Sequence, residues 1–321
     1  MKRIVTIGGG TGTFVVLSGL KVYKDLELTA VVSQADDGGS TGRLRDAYGF
    51  LPPGDTRQAL VALAEDGDVL RNLFAYRFTK GDVQGHTLGN LFLTALTDQC
   101  GSNAEGIKEA SRILRIQGKV VPATEEPATL LATFASGVQV RGQHAMSEAG
   151  KDMGALITLD LAEPLKLTPE AFEAIVSADM IVLGPGCLYS STIAALLPEG
   201  TKDAFQRSKA RIVYVVNLFT KLGETHGFSA GDHVREVEKY IGRSVDSLLV
   251  HAGEFSQEVL SWYAEEGEEP VADDLIDDAR VIRSNIASVS VVPPIPNDPM
   301  RRSLLRHDSS KVAKALYDVL R

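Results

Sequence analysis

The sequence predicts an α/β fold: a mostly parallel sheet flanked by helices, interrupted by a helical insertion and a small β-rich middle section. Three observations carry this reading. Short apolar runs at 3–7, 28–32, 180–183, 211–216 and 247–250 are each followed by turn residues, and most lead into a helical pattern, the rhythm of strand, turn and helix units. Between 55 and 116 the apolar spacing is helical throughout. From 120 to 161 the segments GVQVRGQ and ALITLDL show the partial alternation of half-buried strands.

In chain order, 3–7 reads as a short buried strand, 8–12 as a tight glycine turn, and 13–23 as a helix with apolar residues at helical spacing. The run LTAVV at 28–32 is the second strand, and an acidic, glycine-rich segment begins where it ends. Loops leaving the carboxyl ends of parallel strands line the ligand crevice, so the first two loops are expected to meet. Helices are expected at 55–65, 69–76, 86–97 and 104–116, then a small separate sheet within 120–161. Three further core strands follow at 180–183, 211–216 and 247–250, an acidic solvated connector at 272–278, and a terminal helix at 309–320 with Val312, Ala315, Leu316 and Leu320 on one side. At 321 residues the chain has ample core for one domain over 1–321, with 120–161 as a candidate sub-lobe.

Composition narrows the function. Hydrophobic residues at 44% and charged residues at 23% are ordinary for a globular protein, which argues against disorder and fibrous structure. The net charge of −9 disfavours a general nucleic-acid or anionic-membrane surface, so an anionic ligand would need a local basic pocket. Cys100 and Cys187 are the only cysteines and read as free thiols of a reducing, cytoplasmic compartment. The opening apolar run is too short for a signal-peptide core, and no apolar stretch is long enough to span a bilayer. Neither export nor membrane insertion is expected.

Five constellations bear chemistry. GGGTGT places Gly9, Gly10, Thr11, Gly12 and Thr13 after a strand and at the mouth of a helix, where amides and the helix dipole face an anion. The dinucleotide fingerprint wants a glycine where Thr13 stands and an acid where Ser33 stands, so nicotinamide binding is weakly supported. The segment 33–60 crowds Asp36 and Asp37, candidates for a divalent cation or for catalysis, against Gly38, Gly39, Ser40 and the phosphate-matching forks of Arg43, Arg45 and Arg57. Within it, PPGDTR makes a rigid turn in which Asp55 is better read as the cap of the following helix than as a catalyst.

In GHTLGNL, Gly85 and Gly89 permit close backbone approach, and His86 and Asn90 are ligand candidates, although a lone histidine is also commonly structural. LGPGCLYSS again ends a strand: Gly184 and Gly186 build a stiff turn, and Leu188, Tyr189 and Ser190 follow it into a helix as a second phosphate cradle. No base is readable beside Cys187, which reads as an inert small hydrophobe. In NLFTKLGETHGF, Asn217, Thr220, Glu224, Thr225 and His226 are loop polar groups suited to recognition, with too few local ligands for zinc.

Taken together and in order, GGGTGT, DDGGSTGRLR, PPGDTRQAL, GHTLGNLFL, GPGCLYSS and NLFTKLGETHGF resemble the YvcK-like gluconeogenesis factors, distant relatives of 2-phospho-L-lactate transferase. The resemblance implies a Rossmann-like fold, a cytoplasmic protein, a role in gluconeogenic growth, cell shape and cell-wall precursor balance, and binding of UDP-sugars, notably UDP-N-acetylglucosamine. It also implies a C-terminal tyrosine and arginine in that site; the matches are Tyr263, able to stack on uracil, and Arg306, able to meet a diphosphate. Cys187 stands where serine is common in that pattern, and KLGET lacks a usual glutamine-proline pair. Two readings follow: a nucleotide-sugar-binding regulator without robust catalysis, or a magnesium-dependent phosphoryl- or nucleotidyl-type transferase using Asp36 and Asp37. A structural scaffold for the cell-shape machinery, homo-oligomers and regulatory protein partners stay open.

Overall fold

The computed structural model describes residues 1–65, 68–291 and 304–321. Seven strands form one parallel sheet: β1 (Lys2–Gly8), β2 (Leu26–Val32), β3 (Lys119–Pro122), β7 (Met180–Leu183), β8 (Arg211–Val215), β9 (Ser247–His251) and β10 (Val281–Ser284). Their order is β10-β9-β8-β7-β1-β2-β3. The chain therefore starts in the middle, builds outward to β3, and returns to the other side of β1. That reversal between β1 and β7 is the topological switch point, where the crevice of an open α/β sheet lies.

Alternating side chains sort the central strands onto two buried faces. Val5, Ile7, Val31, Ile181, Leu183, Ile212, Tyr214, Leu248 and Val250 belong to one core. Ile4, Leu28, Ala30, Val32, Met180, Val182, Val213, Val215 and Leu249 belong to the other, with α1 (Gly10–Leu20), α3 (Pro53–Leu63) and α12 (Ser309–Leu320) packed on it. With both faces covered, the strands read as continuous apolar runs, and this is why β7 lies where the sequence puts it. No helix among the described residues is long and apolar enough to cross a membrane.

Several expectations shift. The helix expected at 13–23 begins at Gly10, so the glycine turn is itself the first helical turn. The strand expected at 28–32 begins at Leu26. The middle section divides: β3 joins the main sheet beside β2, whereas β4 (Leu130–Phe134), β5 (Gln139–Arg141) and β6 (Leu156–Leu161) form the separate antiparallel sheet, in the order β5-β4-β6. Between β2 and β3, α3 is joined by α2 (Gly39–Tyr48), α4 (Asp68–Ala75), α5 (Leu88–Cys100) and α6 (Asn103–Ile113). The acidic connector at 272–278 is tied down rather than simply solvated: Asp274 accepts from the Gly231 amide at 2.8 Å, and Asp273 and Asp278 pair with Arg283 and Arg280.

Candidate functional site

The turn after β1 and the turn after β7 meet backbone to backbone. A Cβ on Gly12 would lie 1.6 Å from the Pro185 carbonyl oxygen and 2.9 Å from the Gly186 nitrogen, so only a residue without a side chain allows this approach. Gly184 takes φ +68°, a left-handed value that also favours glycine. Asn217, just beyond β8, donates its side-chain nitrogen to the Gly186 carbonyl at 2.7 Å. Its Oδ1 is buried and, among the described residues, has no hydrogen-bond partner, which leaves an acceptor available to a ligand donor.

At the mouth of α1 the amide of Gly10 donates to Asp55 Oδ1 at 2.8 Å. Asp55 thus corrects its expected role. It lies inside the first turn of α3, where Pro53 occupies the opening position, and its carboxylate instead satisfies the neighbouring helix. The next amides of α1, those of Thr11 and Gly12, lie in its first turn, where a helix supplies its amides with no i−4 carbonyl, and so carry the anion-binding capacity of the helix end, while the Thr13 hydroxyl turns back to the Gly9 carbonyl at 3.3 Å.

The two acids of the opening segment are spent separately. Both oxygens of Asp37 accept amides of α7 (Gln143–Ala149), from Gln143 at 2.9 Å and His144 at 2.8 Å, which makes it a cap supplied from far along the chain. Asp36 accepts from the Gly38 amide at 3.0 Å. Burial, with the Asp37 charge adding to it, pushes the Asp36 carboxyl above the usual carboxylate range, against the pull of the Gly38 and Thr41 hydrogen bonds and of Arg45. Among the described residues no three His, Cys, Asp or Glu side chains gather to hold a metal.

The hydroxyl, imidazole and amide candidates do converge. Ser40 Oγ lies 3.0 Å from His86 Nδ1, Asn90 Nδ2 lies 3.1 Å from Ser40 Oγ, and Arg57 Nε donates to Asn90 Oδ1 at 2.8 Å. Arg43 reaches the Gln84 carbonyl and Arg77 the Gly85 carbonyl, at 3.2 and 2.6 Å. Arg77 was not legible as a site residue, because nothing local to it signals a ligand. Burial, then Arg43 and Arg77, lower the His86 pKa. Arg45, by contrast, pairs with its neighbour Asp46. Gly39 opens α2 at φ +48°, next to Gly38, the extended residue that precedes the helix.

After β7 the backbone of 188–192 forms a wide helical turn, and the side chains of Leu188 and Tyr189 point into the core, each 1% exposed. Ser190 donates to Glu224, which also accepts from Ser147 Oγ and from Lys221 Nζ. Lys221 Nζ lies 3.7 Å from Cys187 Sγ. Cys187 therefore does have a basic neighbour, which the sequence did not reveal, yet burial pushes its thiol up more than the Lys221 charge lowers it. Thr220, Glu224 and Thr225 are buried supports of the loop, and His226 is exposed.

Tyr263 is 2% exposed, its ring stacked on Phe219 at 3.7 Å between centroids and its hydroxyl bonded to the Leu305 backbone. Stacking on a base would require this packing to open. Arg306, half-buried, accepts from the Ser288 amide through its carbonyl on the short pairing of Ala287 with His307.

Comparison with known proteins agrees with this architecture. The family model described as 2-phospho-L-lactate transferase CofD matches residues 4–291. A Thermotoga maritima protein is 43% identical over 319 residues, covering 99% of each chain. The gluconeogenesis factor of Halalkalibacterium halodurans is 40% identical over 320 residues, covering 99% of this chain and 96% of its own. A crystal structure of a upf0052 family member from Bacillus halodurans superposes with a TM-score of 0.89 at 38% identity, covering 98% of this chain and 99% of that one. The chain belongs to the CofD family, on the branch of its gluconeogenesis-factor relatives.

Proposed function

We propose that this chain is a cytoplasmic regulatory protein that binds a nucleotide sugar, UDP-N-acetylglucosamine, and links gluconeogenic growth to cell shape and cell-wall precursor supply. The observation that carries the reading is the backbone-to-backbone meeting of two glycine turns at the switch point, with the Thr11 and Gly12 amides in the first turn of α1. A diphosphate held there gains the helix dipole and two N–H donors. Asp55 already occupies the Gly10 amide, so the phosphate sits deeper along the turn, toward Gly186. The buried Asn217 Oδ1 suits a sugar hydroxyl or a base N–H, and Arg43, Arg57 and His86, gathered around Ser40 and Asn90, are positive and donor groups suited to ligand phosphate. Calorimetry against UDP-N-acetylglucosamine, UDP-glucose, NAD and GDP tests this. Heat with UDP-sugars supports it, and heat with NAD or GDP alone overturns it.

A second reading is favoured by one observation. Asp36 is a half-buried residue whose carboxyl pKa is raised by burial, and a magnesium ion beside it would favour its charged form. Magnesium commonly uses one or two carboxylates together with ligand phosphates, so Asp36 alone fits, while Asp37 is committed to α7. The metal would neutralise phosphate charge in a phosphoryl- or nucleotidyl-type transfer. Phosphorus NMR of nucleotide-sugar mixtures with magnesium separates the readings: new resonances establish a transferase, and spectra unchanged over days leave the regulator.

A further inference from the structure

We propose that Arg57, Asn90 and Ser40 are positioning residues that fix His86 as the neutral ring with its proton on Nε2, so that His86 serves the ligand phosphate as a hydrogen-bond donor and not as a base. The identity of that ligand rests on the function proposed above; the proton assignment does not. Arg57 Nε can only donate, so the Asn90 atom 2.8 Å away must be its carbonyl oxygen. This turns the Asn90 amide nitrogen, a pure donor, toward Ser40 Oγ at 3.1 Å. Ser40 accepts there and keeps one proton to donate, for which His86 Nδ1, 3.0 Å away, is the acceptor among the described residues. With that proton donated, Nδ1 presents its lone pair, and the proton of the neutral ring sits on Nε2.

The relay is rigid enough to impose this order. Asn90 is 3% and Ser40 6% exposed. Asn90 is held on both sides of its backbone in the first turn of α5, its amide donating to the Thr87 hydroxyl at 3.2 Å and its carbonyl accepting from Thr94 at 2.9 Å. The charged groups acting on the imidazole are Arg43 of α2 and Arg77 of the segment before α5, and both oppose a second proton. So does the positive end of α5, which starts two residues after His86. A histidine used as a base would need to take up the proton that three cationic features resist.

The test is imidazole nitrogen NMR on ligand-free, histidine-labelled full chain, with His86→Ala assigning the signal. The expected result is a neutral ring protonated at Nε2 at pH 8 and at pH 7. A ring protonated at Nδ1, or an imidazolium at pH 7, overturns the proposal. Asn90→Asp is the decisive variant: nearly the same in shape, it offers Ser40 an acceptor in place of a donor, so the Ser40 proton turns away from His86 and the ring proton should move to Nδ1. A folded variant, checked by its amide spectrum, that keeps the Nε2 form refutes the relay. With UDP-N-acetylglucosamine as probe, His86→Gln, which retains an N–H donor, should keep affinity within about 5-fold, while His86→Ala should lose about 10- to 100-fold. Equal losses in both count against the donor role, whereas no binding by the wild type defeats the ligand reading and leaves the NMR result standing.

Discussion

Gly12→Ala probes the contact on which the crevice depends. The added methyl would lie 1.6 Å from the Pro185 oxygen, 2.4 Å from its carbonyl carbon and 2.9 Å from the Gly186 nitrogen. Non-bonded heavy atoms settle at about 3.5 Å, so the turns after β1 and β7 must part by roughly 2 Å. Neither partner is the end of a flexible side chain, and the strands behind them are locked in register, Ile7 beside Leu183. The expected cost is at least the upper end of the range for overpacking, about 3 kcal/mol. Since the Thr11 and Gly12 amides move with the turn, affinity for UDP-N-acetylglucosamine should fall at least 10-fold. Gly49→Ala is the comparison: it ends α2 at φ +71° with nothing within 4 Å of the new methyl, so it should cost about 1 to 2 kcal/mol of backbone strain and leave binding unchanged. Urea titration and calorimetry on both variants decide the matter. A Gly12→Ala protein with wild-type midpoint and affinity would refute the reasoning.

Three further outcomes follow from the geometry. Glu224→Ala removes a fully buried carboxylate that holds Lys221, Ser147 and Ser190 together, and should destabilise by about 3–5 kcal/mol in urea titration; the pair Glu224→Leu with Lys221→Met should recover much of that loss. Asp37→Ala should cost about 1–2 kcal/mol by uncapping α7, with or without magnesium; a loss seen only in magnesium would make Asp37 a metal ligand. His307, donating to the Val216 carbonyl, has its pKa lowered to about 4 by burial. Between its ordinary value near 6.5 and about 4 the unfolded chain binds a proton that the native state does not, so stability is fully present above pH 6.5 and falls as pH drops through that window. His307→Gln should flatten the urea-midpoint slope by about 1 kcal/mol between pH 7 and 5.5, and an unchanged slope would contradict this origin.

What the sequence shows of this protein is its local order. The central strands are legible because each is buried on both faces and therefore apolar without interruption, and the glycine turns because they interrupt that pattern. α2 was not legible: it opens on Gly39, Ser40, Thr41 and Gly42, all poor interior helix formers, and buries a single large apolar side chain, Leu44. The partners of the charged residues were hidden for a different reason. Asp37 serves an element that begins 106 positions later, Asp55 serves a turn 45 positions earlier, and Glu224 gathers hydroxyls from two distant segments. Residue type announced a polar site at these positions, but only tertiary proximity distinguishes a ligand contact from a cap or a clamp. The convergence of Ser40, His86, Asn90 and Arg57 is the intermediate case: each was a candidate alone, and the folded chain supplies the direction of their hydrogen bonds.

The most direct measurement is a crystal structure of the chain soaked with UDP-N-acetylglucosamine at saturating concentration. The account predicts diphosphate density against the Thr11 and Gly12 amides, beside Gly186, with a ligand hydroxyl or N–H on Asn217 Oδ1. A ligand bound away from the β1–β7 switch point, touching neither these amides nor Asn217, would contradict it.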